Sequence, residues 1–227
     1  MHREREESPS IVLIHGAYHG AWCWRRVVPI LAARGVEPIA IELPLTGFGD
    51  DVDCVRALVE RHEQVVVCGH SYGGRVASAA LEDLTNVTHI VYLSALMLTP
   101  GEAATYIAAD GDHPRHPFAD FDFEYVRDRY YANCSDADAA AAFSRLRAMP
   151  AEELRVGDFD HRPWERIPST YIVCTQDRAI SPDRQRRMAR LATHRVDLDS
   201  DHSPFLSDPA RLADILSSVT AGVSPDR

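Results

Sequence analysis

The reading of the chain turns on Gly69-His70-Ser71-Tyr72-Gly73-Gly74. An apolar run, Val65-Val66-Val67-Cys68, precedes it, and small or helix-compatible residues from Arg75 to Leu84 follow. The local pattern is strand, tight turn, helix, with a serine at the apex. That is the G-x-S-x-G of a nucleophile elbow. Such a turn puts the serine in a strained backbone conformation and crowds its neighbours. Gly69 and Gly73 relieve the crowding because they carry no Cβ.

Outward from the elbow the same alternation repeats. Ile11-Val12-Leu13-Ile14 reads as a buried strand, Trp22 to Ala33 as a helix, Val36 to Leu43 as a strand and Val52 to Arg61 as a helix. After the elbow helix, Gly74 to Leu84, comes a strand over Val87 to Ser94. Strand logic resumes at Thr170 to Cys174, followed by a helix over Pro182 to Leu191, a short strand over Val196 to Leu198 and a closing helix over Pro209 to Val219. Apolar strands separated by helices predict an α/β fold: a mostly parallel sheet of about six strands, flanked by helices on both faces. Between them, residues 97–166 break the rhythm. They are aromatic and acidic, with an alanine-rich helical stretch from Asp136 to Met149. This segment is expected to be a small helical cap inserted into a core of residues 11–96 and 167–227, with 1–10 a flexible tail.

Composition narrows the function classes. The 227 residues carry a net charge of −10, which argues against a nucleic-acid surface. No apolar run is long enough to span a bilayer. The polar start, Met1 to Ser10, lacks the apolar core of a signal peptide, so a cytoplasmic protein is expected. The five cysteines are scattered and form no C-x-x-C pair, so neither a disulfide framework nor a zinc site is expected. All 24 basic residues are arginine, which excludes any mechanism built on a lysine amine.

A serine hydroxyl needs a base, and that base, an imidazole, needs a carboxylate to fix its tautomer. In this strand–turn–helix context the chain order is serine, acid, histidine. Asp177, just past the Thr170 to Cys174 strand, and His202, past the last strand, fit that order. Among the 11 histidines, His70 reads as packing beside the serine and His15 as a structural hydrogen-bonding group. Asp199 and Asp201 lie too near His202 and read as turn residues. The strand after the elbow helix ends Leu93-Ser94-Ala95-Leu96, with no carboxylate to compete. Two backbone donors should hold an oxyanion, Tyr72 N–H and Ala17 N–H, the latter in the loop after the first strand. A plain strand-to-helix turn would carry the same glycines there. Gly16, Tyr18 and His19, with the Tyr72 side chain, are the candidate substrate contacts.

The stretches Val12 to Trp24, Gly69 to Gly74, Cys174-Thr175-Gln176-Asp177 and Asp201-His202-Ser203-Pro204-Phe205 resemble the α/β-hydrolase superfamily. More narrowly they resemble its branch of plant methyl esterases, hydroxynitrile lyases and bacterial esterase relatives. The resemblance implies a catalytic triad of Ser71, His202 and Asp177 with no cofactor and no metal. It covers the sheet portion and not the cap. The lyases of that branch carry a threonine at the place of Gly16 and a lysine after the catalytic histidine, where this chain has Ser203, so hydrolysis is favoured over cyanohydrin cleavage. The expectation is a serine hydrolase cleaving a small carboxylic ester through an acyl-enzyme. The cap aromatics suggest an apolar or aromatic acyl group, although they would equally serve to pack the cap. Three rivals use the same residues: thioester, lactone or amide hydrolysis, or a lyase or cyclase step; a slow-turnover ligand receptor; and a cofactorless oxygenase working from the His–Asp pair. Nothing in the pattern announces a protein partner or an oligomeric state.

Overall fold

A computed structural model describes residues 9–97, 99, 122–149 and 161–222. Residues 1–8 of the expected tail and much of the expected cap, 98, 100–121 and 150–160, lie outside the described residues; Ser10, expected in the tail, instead begins the first strand. Six strands form one sheet: β1 Ser10–Ile14, β2 Glu37–Ile41, β3 Val65–His70, β4 Val87–Leu93, β5 Ser169–Cys174 and β6 His194–Leu198. All five pairings are parallel, in the order β2-β1-β3-β4-β5-β6. The chain moves outward from β1 to β2, then crosses back to place β3 on the other side of β1. That reversal opens a crevice at the carboxyl ends of β1 and β3, where ligands of open α/β sheets bind.

Two-residue periodicity sends alternate side chains to opposite faces. Val12, Ile14, Val65, Val67, Ile90, Tyr92, Tyr171 and Val173 pack with α2 (Phe48–Val59), α3 (Tyr72–Ala80) and α6 (Pro182–Met188). Ile11, Leu13, Val66, Cys68, Val91, Leu93, Ile172 and Cys174 pack with α1 (Val27–Ala33), α7 (Pro204–Ser207) and α8 (Pro209–Thr220). Covered on both faces, the inner strands are apolar over most of their length, β4 and β5 admitting polar residues only in their first three positions.

Several boundaries differ from expectation. The first helix is a 3₁₀ turn, Ala21–Arg26, that passes into α1. Helix α2 begins at Phe48, four residues before Val52, because Phe48 packs edge-on against the Tyr72 ring and under the Arg75 guanidinium. Helix α3 starts at Tyr72, directly after the serine, so the elbow has no spacer. Within the expected cap, α4 (Phe123–Tyr130) and α5 (Asp136–Phe143) are each N-capped, by Asp122 and Ser135. The second ends well short of Met149. Val126, Tyr131, Ala139 and Ala142 join the core on the α1 and α8 side. The described part of this segment is therefore continuous with the main core. All five cysteines are free. No described helix is long and apolar enough to cross a membrane, and the described residues hold no cluster of metal-ligating side chains.

Candidate active site

Ser71 sits between β3 and α3 with φ 51° and ψ −119°, outside the ordinary regions for a residue with a side chain. Strain of this kind costs about 1–3 kcal/mol and persists only where the surroundings impose it. They do here. A Cβ on Gly69 would lie 2.6 Å from Gly73 O, and one on Gly73 would lie 2.6 Å from His15 O. Ser71 N–H donates to Leu93 O at 3.2 Å, and Leu96 N–H donates to Ser71 O at 3.3 Å. The apex is thus tied on both sides to the end of β4.

The acid and the histidine meet. His202 Nδ1 donates to Asp177 Oδ2 at 2.7 Å, and both side chains are buried. The carboxylate is heavily solvated by protein. Oδ1 accepts from Ala179 and Ile180 N–H at 2.7 and 2.9 Å, and Oδ2 accepts from Gln185 Nε2 at 2.9 Å and from Ser94 Oγ. With Nδ1 committed, Nε2 is the ring atom left to accept a proton. Ser71 Oγ makes no hydrogen bond to it among the described residues; such contacts are often long until substrate binds. What joins the two is His70. Its Nε2 donates to the His202 backbone carbonyl at 2.8 Å, and the two rings lie 4.7 Å apart. His70 therefore does more than pack: it holds the His202 loop against the residue next to Ser71. Burial first, and then the neighbouring His202, keep its imidazole well below the usual histidine range, so it is a neutral donor.

The loop after β1 is equally constrained. His15 Nε2 accepts from Leu43 N–H at 3.0 Å, which leaves the proton on Nδ1 to be donated to Gly16 O at 2.9 Å. Burial lowers the pKa of His15 to about 3. Because the peptide is planar and trans, pinning Gly16 O aims the Ala17 N–H in the opposite direction. Gly16 is a close-approach position: a Cβ there would lie 3.1 Å from Ser71 Cβ.

Two expected substrate contacts are used internally instead. Tyr72 is buried and its hydroxyl donates to Asp51 Oδ2 at 2.7 Å, so its ring points down α3 toward α2 and only its backbone stays with the site. His19 is buried with both ring nitrogens engaged, by Ala17 O and by the Tyr131 hydroxyl. Tyr18 is buried too, with φ 63°. Asp201 is the turn residue expected, accepting from Ser203 N–H and Ser207 Oγ, and it also holds Asn133 N–H of the segment expected as the cap. Sequence reasoning missed Ser94, Gln185, Asp51, Tyr131 and Arg147. Ser94 alone left a trace, as the small polar residue where a carboxylate had been sought.

Residues 11–215 match the Alpha/beta hydrolase family, and the chain belongs to that family. Methylesterase 2 of Arabidopsis thaliana is 25% identical over 260 residues, spanning 95% of this chain and 97% of that protein. Pheophorbidase of Raphanus sativus is 27% identical over 238 residues, spanning 88% of this chain and 90% of its own. The crystal structure of polyneuridine aldehyde esterase has the same fold, with a TM-score of 0.81 at 21% identity over 94% of this chain and 99% of that one. Within the family the chain falls on the plant methylesterase branch, and it is an enzyme of esterase type.

Proposed function

We propose that the chain hydrolyses a small carboxylic ester, of which a methyl ester of an apolar or aromatic acid is the favoured form, through an acyl-enzyme on Ser71. The observation that carries this reading is the buried 2.7 Å bond from His202 Nδ1 to Asp177, tied through His70 to a serine at φ 51°. In the first half, Ser71 Oγ attacks the ester carbonyl and His202 Nε2 takes its proton. The carbonyl oxygen becomes an oxyanion facing Tyr72 N–H and Ala17 N–H. The tetrahedral adduct collapses as His202 returns the proton to the departing alcohol. In the second half, water attacks the acyl carbon, His202 removes its proton, and Ser71 leaves with that proton as the acid is released. Asp177 holds the tautomer and balances the imidazolium. The relatives named methylesterases support methanol as the leaving alcohol. Segment 97–166 serves as the cap; its α4 lays the Tyr130 ring 5.6 Å from the His202 ring, where it would meet the acyl group.

Ser71→Ala tests the reading directly. Turnover of an activated aryl ester should fall by about 10⁴-fold or more, since the general base then has no nucleophile to activate. Circular dichroism should stay that of the wild type. A variant that keeps its rate would remove Ser71 from the mechanism and leave the oxygenase rival, readable as oxygen consumption. A panel of methyl esters against thioesters and lactones ranks the substrate classes.

A further inference from the structure

The turn that carries Ala17 is gripped from outside the sheet. His19 N–H donates to Gly16 O at 3.3 Å, closing a four-residue turn with Tyr18 at its third position and φ 63°. A left-handed third position is what a type II turn requires, and a tyrosine resists it by about 1–2 kcal/mol. Two residues of the cap segment hold the turn in place. Tyr131, just after α4, donates its hydroxyl to His19 Nε2 at 2.8 Å. That bond leaves the ring proton on Nδ1, which donates to Ala17 O at 2.8 Å and fixes the central peptide of the turn. Arg147, after α5, donates its backbone N–H to Tyr18 O at 2.8 Å. Its Nη2 reaches His19 O at 3.1 Å and Leu43 O at 3.0 Å, so one guanidinium bridges the turn to the end of β2. Glu42 pairs with it at 2.7 Å.

We infer that Tyr131 and Arg147 are positioning residues for the oxyanion hole, clamping from the cap the turn that aims the Ala17 N–H. The inference rests on the proposed serine mechanism and adds to it a dependence on the cap. His15 alone fixes one side of Gly16 O. The other donor to that oxygen is His19 N–H, and its position is set by the two clamps. Without Tyr131 the His19 ring can move its proton to Nε2 and release Ala17 O. Without the Arg147 side chain the carbonyl of His19 loses its tie to β2. In either case the oxyanion donor drifts while the nucleophile, His202 and Asp177 stay in place.

The test uses the full chain. Tyr131→Phe removes one hydroxyl and keeps the ring, and Arg147→Met acts at a partly exposed side chain, so both are expected to fold. Each should lower kcat for an activated aryl ester by about tenfold with KM within about twofold, a fraction of the 10²–10³ that a whole oxyanion donor supplies. Affinity for a trifluoromethyl ketone, which adds to a serine to form a hemiketal oxyanion, should weaken by a similar factor. Arg147→Lys, able to reach one of the two carbonyls, should fall between. The inference is overturned if both variants keep kcat within about twofold of the wild type, if KM rises while kcat holds, or if lost activity merely tracks lost folded protein. Ser71→Ala, measured alongside, separates the two failures. If it abolishes turnover, the serine mechanism stands whatever the clamp variants do; if it does not, the mechanism falls and the clamp with it.

Discussion

At the scale of single residues, Gly16 shows how tightly the groups of the proposed mechanism are spaced. A Cβ at Gly16 would meet His70 Nδ1 at 2.8 Å as well as Ser71 Cβ at 3.1 Å. His70 has nowhere to retreat: its Nε2 is on the His202 carbonyl, and Phe205 stands edge-on at 5.0 Å. A larger residue must therefore displace Ser71 or, through His70, the His202 loop. Gly16→Thr is expected to lower kcat by about tenfold or more, the scale on which small misplacements of catalytic groups are felt. Overpacking should cost about 1–3 kcal/mol of stability in a urea titration. An unchanged kcat would mean that the loop recedes without disturbing Ser71. The sequence marked this glycine as a candidate substrate contact. It did not announce that the approaching group is a histidine more than fifty positions away, because sequence distance carries no information about which loops meet above a sheet.

At the scale of elements, legibility followed the range of the forces involved. The four inner strands were readable because each carries a short, largely β-branched apolar run buried along most of its length; the edge strands are only half-buried, and β6 begins at His194, two residues before the expected Val196. Ser71, Asp177 and His202 could be picked out as candidates because each follows the carboxyl end of a strand, and in a parallel sheet those ends lie on the same side. The start of α2 was not readable. Gly47-Phe48-Gly49 has the composition of a loop, and what makes it helix is the packing of Phe48 on Tyr72 and Arg75. The early end of α5 was hidden for a similar reason, since the chain leaves the helix and Arg147 then reaches Tyr18. Asp51 is the joint among these pieces. Fully buried, it accepts from Tyr72 Oη of α3 at 2.7 Å and from Leu45 N–H of the loop after β2 at 2.8 Å. Asp51→Ala strands both donors in the core, where each unpaired group costs about 1–3 kcal/mol. A loss of about 2–4 kcal/mol in urea unfolding is expected, with the midpoint falling and the slope unchanged. A smaller loss than 1 kcal/mol would show that water reaches these donors.

At the scale of the whole molecule, the buried histidines set how the fold responds to acid. Burial lowers the pKa of His15 to about 3 and of His19 to about 4. Burial lowers His89 to about 4 as well, with His194 adding to the effect, and it holds His70 well below the ordinary value. In the unfolded chain each of these rings titrates near 6.5. Above that pH both states carry neutral rings and the histidines contribute no slope. Below it the unfolded chain takes up protons that the native rings refuse, so stability is lost as the pH falls and goes on falling until the native values are reached. Each such buried ring removes about 1.4 kcal/mol per pH unit in that window. For His15 and His19 together the slope is about 3 kcal/mol per unit between pH 6 and 4, enough to consume much of the stability of an ordinary domain within two units. The melting temperature should therefore hold steady from pH 8 to 7 and drop steeply from 6 to 5. Calorimetric unfolding at pH 5.5 should register an uptake of more than one proton per molecule. A flat melting temperature across pH 7 to 5 would mean that these rings are protonated in the native state. They would then lose the acceptor nitrogens that Leu43 N–H and the Tyr131 hydroxyl require, and the loop after β1 would have to be held by some other means.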